Sequence, residues 1–261
     1  MGVDSLEHDV GFPQTLMQAD QSSEKASWFN CAPPGSPRWR EVITRLVNSH
    51  VVSVPTFAIL EAHRDFMRVS RGEWLDEYVM PELLLAFQPN AKAHGSSNLN
   101  ATTTSEVLYK NRIRLAMQFV NDFKSAGGRV AVGSDAGFIY QLYGFGFVRE
   151  LEMLQEAGFT PLEVVTAATR NGAKLVKLGD ETGTVEAGKK ADLVLIAENP
   201  LDNFKVLYGT GYEHYDAQLG EVQHRGRVRY TIRDGIVWDA GALLADVRSQ
   251  VAEAKRRGQR P

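Results

Sequence analysis

The sequence predicts an α/β fold, and two observations carry that expectation. Short apolar runs alternate with helical patterns from residue 2 to about residue 178. Strands separated in this way by helices pair in parallel through right-handed crossovers. After Gly183 the pattern changes to strands joined by a two-residue Asp-Gly turn, the mark of a small antiparallel β module.

Each element follows from its local chemistry. Gly2-Val3-Asp4-Ser5-Leu6-Glu7-His8 opens the chain as a strand-like piece, and a loop rich in Ser, Pro and Gly runs to Ser36-Pro37. Ser36 suits a helix cap, and Pro37 suits the first helical position because its missing N–H would be unpaired there. Trp39, Val42, Ile43, Leu46 and Val47 then form one apolar helical stripe. Val51 to Thr56 reads as a buried strand, β-branched and closed by Pro55. Residues 60–104 read as an insertion, with helical pieces around Trp74 to Phe87 and a polar stretch from Ser96 to Ser105. The next helix carries Tyr109, Ile113, Ala116, Val120 and Phe123 on one face and ends at Gly127-Gly128, residues suited to a left-handed cap. Arg129 to Gly133 is the third strand, with Ser134-Asp135-Ala136-Gly137 as its exit loop. A helix around Phe147 to Ala157 follows. Thr160-Pro161-Leu162-Glu163 is a capping box that opens another helix, running to about Leu178. Ala191 to Ile196, Val228 to Arg233 and Ile236 to Trp238 are the strands of the β module, and a polar helical tail starts near Ala242.

Composition excludes several classes of function. The 261 residues carry 29 Lys+Arg against 32 Asp+Glu, a formal net charge of −3, which lacks the basic excess of a nucleic-acid binder. A hydrophobic fraction of 43% is that of an ordinary soluble domain. The single cysteine, Cys31, rules out an internal disulfide and fits a reducing compartment. No apolar run approaches the roughly 18 residues of a membrane span. The first basic residue is Lys25, so no positively charged region precedes an apolar stretch, and a cytoplasmic location is expected.

Two glycine-rich motifs fail on context. Gly183 to Lys190 fits G-x-x-x-x-G-K but has Lys190 where a magnesium ligand should stand, and it precedes a strand rather than a helix. Gly144 to Arg149 lacks the third glycine of a dinucleotide fingerprint. The six histidines, His8, His50, His63, His94, His214 and His224, form neither H-x-H nor H-E-x-x-H. Position singles out His8 and Asp135, each just past the C-terminal end of a parallel strand, where α/β barrels place their chemistry. Taken alone, His8 reads as a hydrogen-bonded structural group and Asp135 as a helix cap. The aromatic residues Phe138, Tyr140, Tyr143, Phe145 and Phe147 close to Asp135 read as a pocket lining, with core packing expected for at least half of them.

The wording around these residues adds more. Gly2 to His8 resembles the segment that carries the sixth-strand histidine of the amidohydrolase superfamily, in its imidazolonepropionase-like branch. Gly133 to Gly137 resembles that family's eighth-strand aspartate loop. Glu150 through Gly158, Pro161, Ala167-Ala168-Thr169 and Asn171-Gly172-Ala173 are similar to its last barrel helices. Gly183 to Val194, with Asn199-Pro200-Leu201, is similar to its closing segment.

The resemblance implies a partial TIM-type (β/α) barrel, the last three βα units, over residues 1–182. A β module packed on it would occupy 183–240, and a helical tail 241–261. It further implies a divalent metal, zinc in the usual case, and hydrolysis of carbon–nitrogen bonds in small molecules. Asp135 would be metal ligand and proton shuttle; His8 would bind the metal or orient the water and the developing oxyanion. The family's other ligands, an H-x-H pair on the first strand, a Lys or Glu on the fourth and a His on the fifth, have no counterpart here. The chain therefore reads as the C-terminal portion of an amidohydrolase, partnered by an N-terminal half or by copies of itself. The alternative is a non-catalytic remnant that acts as an interaction partner.

Overall fold

The three apolar runs of the first part pair in parallel. In a computed structural model, which describes residues 3–8, 32–72, 74–88, 100–137 and 140–258, β1 (Ser5–Glu7), β2 (Val52–Val54) and β3 (Arg129–Val130) form one sheet in that order. Leu6 lies opposite Ser53, and Ser53 opposite Val130. All three residues of β2 are buried, as a strand covered on both faces requires. Val52 and Val54 turn to one face with Ala131 and meet Leu175. Leu6 and Val130 turn to the other and join the main core.

Helices cover that second face. Ser36 caps α1 (Pro37–Asn48) through Trp39 N–H at 3.3 Å, and Trp39, Val42 and Ile43 are buried as the stripe predicted. The Trp39 indole stands edge-on to Phe119 and donates to Asp122 at 2.9 Å. The segment after β2 departs from expectation. Residues 60–64 are not part of an insertion: they belong to α2 (Phe57–Arg64), whose Phe57 and Ala58 lie in the main core with Leu60 packed against it. The short helices α3 (Phe66–Val69), α4 (Trp74–Tyr78) and α5 (Pro81–Phe87) belong to a second cluster built on Ala62, Leu75, Val79, Phe87, Tyr140 and Leu142.

Then comes α6 (Thr103–Ser125), which begins inside the stretch read as polar because Thr102 and Ser105 make a capping box. It ends at Gly127, whose φ of +94° is the left-handed conformation a glycine adopts without strain. α7 (Phe145–Glu156) and α8 (Pro161–Thr166) follow, the latter opened by the Thr160–Glu163 capping box. The Thr160 N–H and the Lys124 ammonium hold the Glu163 carboxyl below its ordinary pKa. The helix expected to run on to Leu178 instead widens into a π-helical turn over Ala167–Asn171 and closes with α9 (Gly172–Leu175). In the widened turn the Asn171 amide donates to the Val130 carbonyl at 2.9 Å, tying the helix to β3.

In the β module, β4 (Leu193–Ile196), β7 (Val228–Arg233) and β8 (Ile236–Asp239) pair antiparallel in the order β4-β7-β8. Asp234 and Gly235 both have positive φ, as the tight β7–β8 turn demands. A second hairpin, β5 (Tyr212–Asp216) with β6 (Glu221–Arg225), was not expected. Its half-buried positions in β5 are Tyr212, His214 and Asp216, so no apolar alternation announces it. The module is anchored by a 3₁₀ turn at Phe204–Leu207 and by Tyr208, which stacks on Trp74 and Phe145. α10 (Ala240–Gly258) returns to α4, pairing Arg248 with Glu77 at 3.2 Å and Lys255 with Asp76. Among the described residues, no helix is long and apolar enough to cross a membrane.

Candidate functional site at the strand ends

The three parallel strands end in the same unusual way. His8, Thr56 and Asp135 leave β1, β2 and the β3 segment with φ of +61°, +50° and +48°. His and Asp visit this left-handed region with some frequency; a β-branched Thr there is an outlier. The turn at His8 is fixed by its own N–H, which donates to the Val54 carbonyl at 3.2 Å and extends the β1–β2 ladder. At the third exit Gly133 passes so close to β2 that a Cβ would lie 2.7 Å from a Val54 methyl carbon. Any larger residue there would force the Val54 side chain or the loop itself to shift.

These exits bring the two sequence-predicted residues together. His8 Nε2 lies 3.7 Å from Asp135 Oδ2, with side chains 38% and 48% exposed. The other ring nitrogen, Nδ1, is 2.7 Å from Thr56 Oγ1. Imidazole nitrogen and carboxylate oxygen are both zinc donors, each bound at about 2.0–2.2 Å. Two such ligands on one tetrahedral ion stand about 3.4 Å apart, so the observed 3.7 Å is close to the spacing a shared cation needs. Among the described residues, no group of three or more His, Cys, Asp or Glu side chains is gathered for an ion. A catalytic zinc takes three protein ligands, one more than this pair supplies.

Beneath the pair lies a carboxylate that the sequence reading did not single out. Thr56 is the N-cap residue of α2, yet its side chain makes no capping bond. Glu150 of α7, fully buried, takes that place and accepts from the N–H groups of Phe57 at 2.9 Å and Ala58 at 2.6 Å. A carboxylate at a helix N-terminus satisfies orphan donors and meets the positive end of the helix dipole. The clue in the sequence was a Glu at a position that the α7 apolar face, with Val148, Leu151, Met153 and Leu154, should have filled with a hydrocarbon.

α2 and α7 are also joined by charge. Arg149 grips Glu61 through two nitrogens, at 2.6 and 2.8 Å, and reaches Glu152 at 2.8 Å. Burial alone would lower the Arg149 pKa, but the two carboxylates outweigh it and push it up. Nearby, burial raises the Tyr208 phenol well above its ordinary value, and Glu152 adds to the effect. Arg149, Arg68, Trp74, Tyr140, Phe145 and Tyr208 line much of a cavity of about 300 Å³.

The aromatic group divides. Tyr140 and Phe145 pack in the second cluster, Tyr143 is exposed, and Phe147 borders a groove of about 760 Å³ between α7, α8 and β4. Phe138 lies outside the described residues, as do Cys31 and His94. Other histidines stand elsewhere: His63 stacks on Tyr109, and His214 and His224 sit on the β5–β6 hairpin. Lys189 of the rejected phosphate-loop motif donates to Gly179 O and Thr184 Oγ1, a bond set internal to its own loop.

Comparison with known proteins agrees with this architecture. A family model described as "Amidohydrolase family" matches residues 48–237. The imidazolonepropionase of Geobacillus sp. (strain WCH70) is 39% identical over 74 residues, 28% of this chain and 16% of that protein. The imidazolonepropionase of Thermoanaerobacter pseudethanolicus (strain ATCC 33223 / 39E) is 46% identical over 57 residues, 22% of this chain and 13% of the relative. Among solved structures, a bottromycin amidohydrolase superposes with a TM-score of 0.59 at 19% identity, covering 96% of this chain and 49% of its own. A putative prolidase from Bifidobacterium longum gives 0.54 at 21% identity, covering 96% and 47%. The chain thus spans about half the length of the structures it resembles, and a smaller share of the curated relatives.

Proposed function

The chain belongs to the amidohydrolase family, and from that premise we propose that it is the closing portion of a metal-dependent hydrolase of carbon–nitrogen bonds in amides or cyclic amides. One observation carries the proposal: His8 Nε2 and Asp135 Oδ2 converge to 3.7 Å at the C-terminal ends of parallel strands. In this reading β1, β2 and β3 are the last three strands of a TIM-type barrel, and the chain lacks the N-terminal half with the remaining ligands.

A divalent cation, zinc in the usual case, would be held by His8 and Asp135 together with ligands from that half. When bound it supplies Lewis acidity, polarising the scissile carbonyl and acidifying water. The rest of the chemistry falls to the chain's own residues. Asp135 takes the proton of the attacking water and delivers it to the leaving nitrogen as the carbon–nitrogen bond breaks, the two halves of general base and general acid catalysis. His8 orients its Nε2 toward the same point. The openness of both side chains leaves room for a substrate above the sheet edge.

The test is the purified full chain, assayed with zinc against a panel of amides and lactams, alone and co-expressed with an N-terminal amidohydrolase segment that bears H-x-H. The expected result is no turnover by the chain alone and zinc-dependent turnover by the pair, abolished by Asp135→Asn. Turnover by a monomer of the isolated chain would overturn the fragment reading. A well-folded pair without turnover would favour the second reading, a remnant that acts as an interaction partner. The presence of two candidate ligands where catalysis needs three is what keeps that reading in view.

A further inference from the structure

The hydroxyl of Thr56 has three features that no role in folding explains together. Thr56 occupies φ +50°, ψ +47°, a conformation costly for a β-branched residue and free for glycine. As the N-cap residue of α2 it would ordinarily spend its hydroxyl on the helix, but Glu150 accepts from the first amides instead. The released hydroxyl meets His8 Nδ1 at 2.7 Å, while His8 Nε2 faces Asp135.

We infer that Thr56 is a positioning residue for His8: its oxygen accepts from Nδ1–H, fixing the tautomer in which Nε2 carries a free lone pair toward Asp135. Glu150 is the support that makes this possible, because it takes over the capping duty. The inference rests on the reading of His8 as a ligand, and it names a residue which that reading does not need. A hydrogen bond from the second ring nitrogen fixes the ring plane and raises the basicity of the first. The histidine side chain free in water favours the opposite tautomer, with the proton on Nε2, so the assignment has a spectroscopic signature.

The experiment uses the full chain with ¹⁵N-labelled histidine at about pH 8, above the ordinary histidine range. The His8 signals are identified by their loss in His8→Asn. The expected result is an Nδ1–H tautomer in the wild type and in Thr56→Ser, and reversion to the Nε2–H form in Thr56→Gly. Glycine suits the left-handed φ, so Thr56→Gly keeps the fold while removing the hydroxyl, and circular dichroism checks this. If a shared ion binds, titration with zinc alone should show a 10–100-fold weaker affinity in Thr56→Gly than in Thr56→Ser. The tautomer decides the inference: a His8 ring with the same tautomer in Thr56→Gly as in wild type overturns it. Absence of zinc binding with a Thr56-dependent tautomer would remove the metal reading and leave the positioning role intact. Zinc binding that needs His8 and Asp135, with a tautomer indifferent to Thr56, would do the reverse.

Discussion

Among the described residues, two three-stranded sheets handle their surfaces in opposite ways. In the parallel sheet every residue of β2 is buried, whereas in the antiparallel sheet every residue of β8 is exposed. Ile236, Val237 and Trp238 of β8 are 59%, 58% and 47% exposed. Both stretches are rich in β-branched or aromatic residues, so composition does not separate them. What separates them is cover: helices on one face of the first sheet and Leu175 on the other, against a module whose outer strand meets solvent on both faces. An apolar strand reports that it can be buried, and only its neighbours decide whether it is.

Stability measurements should sharpen this contrast. The largest effect is expected in the core above the parallel sheet. Phe119→Ala, at a fully buried site, should cost about 3–5 kcal/mol in urea unfolding. Glu150→Leu should come next, at about 3 kcal/mol, because two buried α2 amides lose their acceptor. A loss near zero would show that water replaces the carboxylate. Thr160→Ala removes one half of a capping box and should lower stability by about 1 kcal/mol.

Glu163 gives the comparison a pH dependence. Its folded pKa lies below the ordinary value, so its contribution is full above the unfolded pKa and fades as pH falls through the folded one. The urea midpoints of wild type and Glu163→Gln should therefore differ at neutral pH and converge in acid; a gap that persists in acid would locate the effect elsewhere. The smallest change belongs to the antiparallel sheet: Trp238→Ser should stay within about 0.5 kcal/mol. A loss of several kcal/mol there would mean that β8 is covered in solution, by another copy of the chain or by a partner.

Legibility in the sequence followed the same division. Strands, caps and turns with a one-residue chemical signature were readable: Ser36 before Pro37, Thr160 with Glu163, Asp234-Gly235 and Gly127 all lie where their chemistry places them. The start of α2 was missed because its cap comes from Glu150, 92 residues away in the chain. The π-helical turn over Ala167–Asn171 was missed because no side-chain cap marks its start. The closeness of His8 and Asp135 was readable from their positions after strands, while Thr56 was passed over as the tail of a strand. Its role depends on a left-handed φ and a hydroxyl released from capping, and neither is written in local sequence.

The clasp between α10 and α4 has a consequence for the order of folding. Arg248 meets Tyr78 across 170 positions, and Lys255 meets Asp76 across 179. Closing a loop of that length is entropically dear, and contacts so distant in sequence form slowly. The ion pairs that clasp it are solvent-exposed and individually weak, and the helix adds to them only the small buried side chains of Val251 and Ala254. The last helix should therefore settle after the core around Phe119 is complete, giving a late kinetic phase to which the parallel sheet is blind.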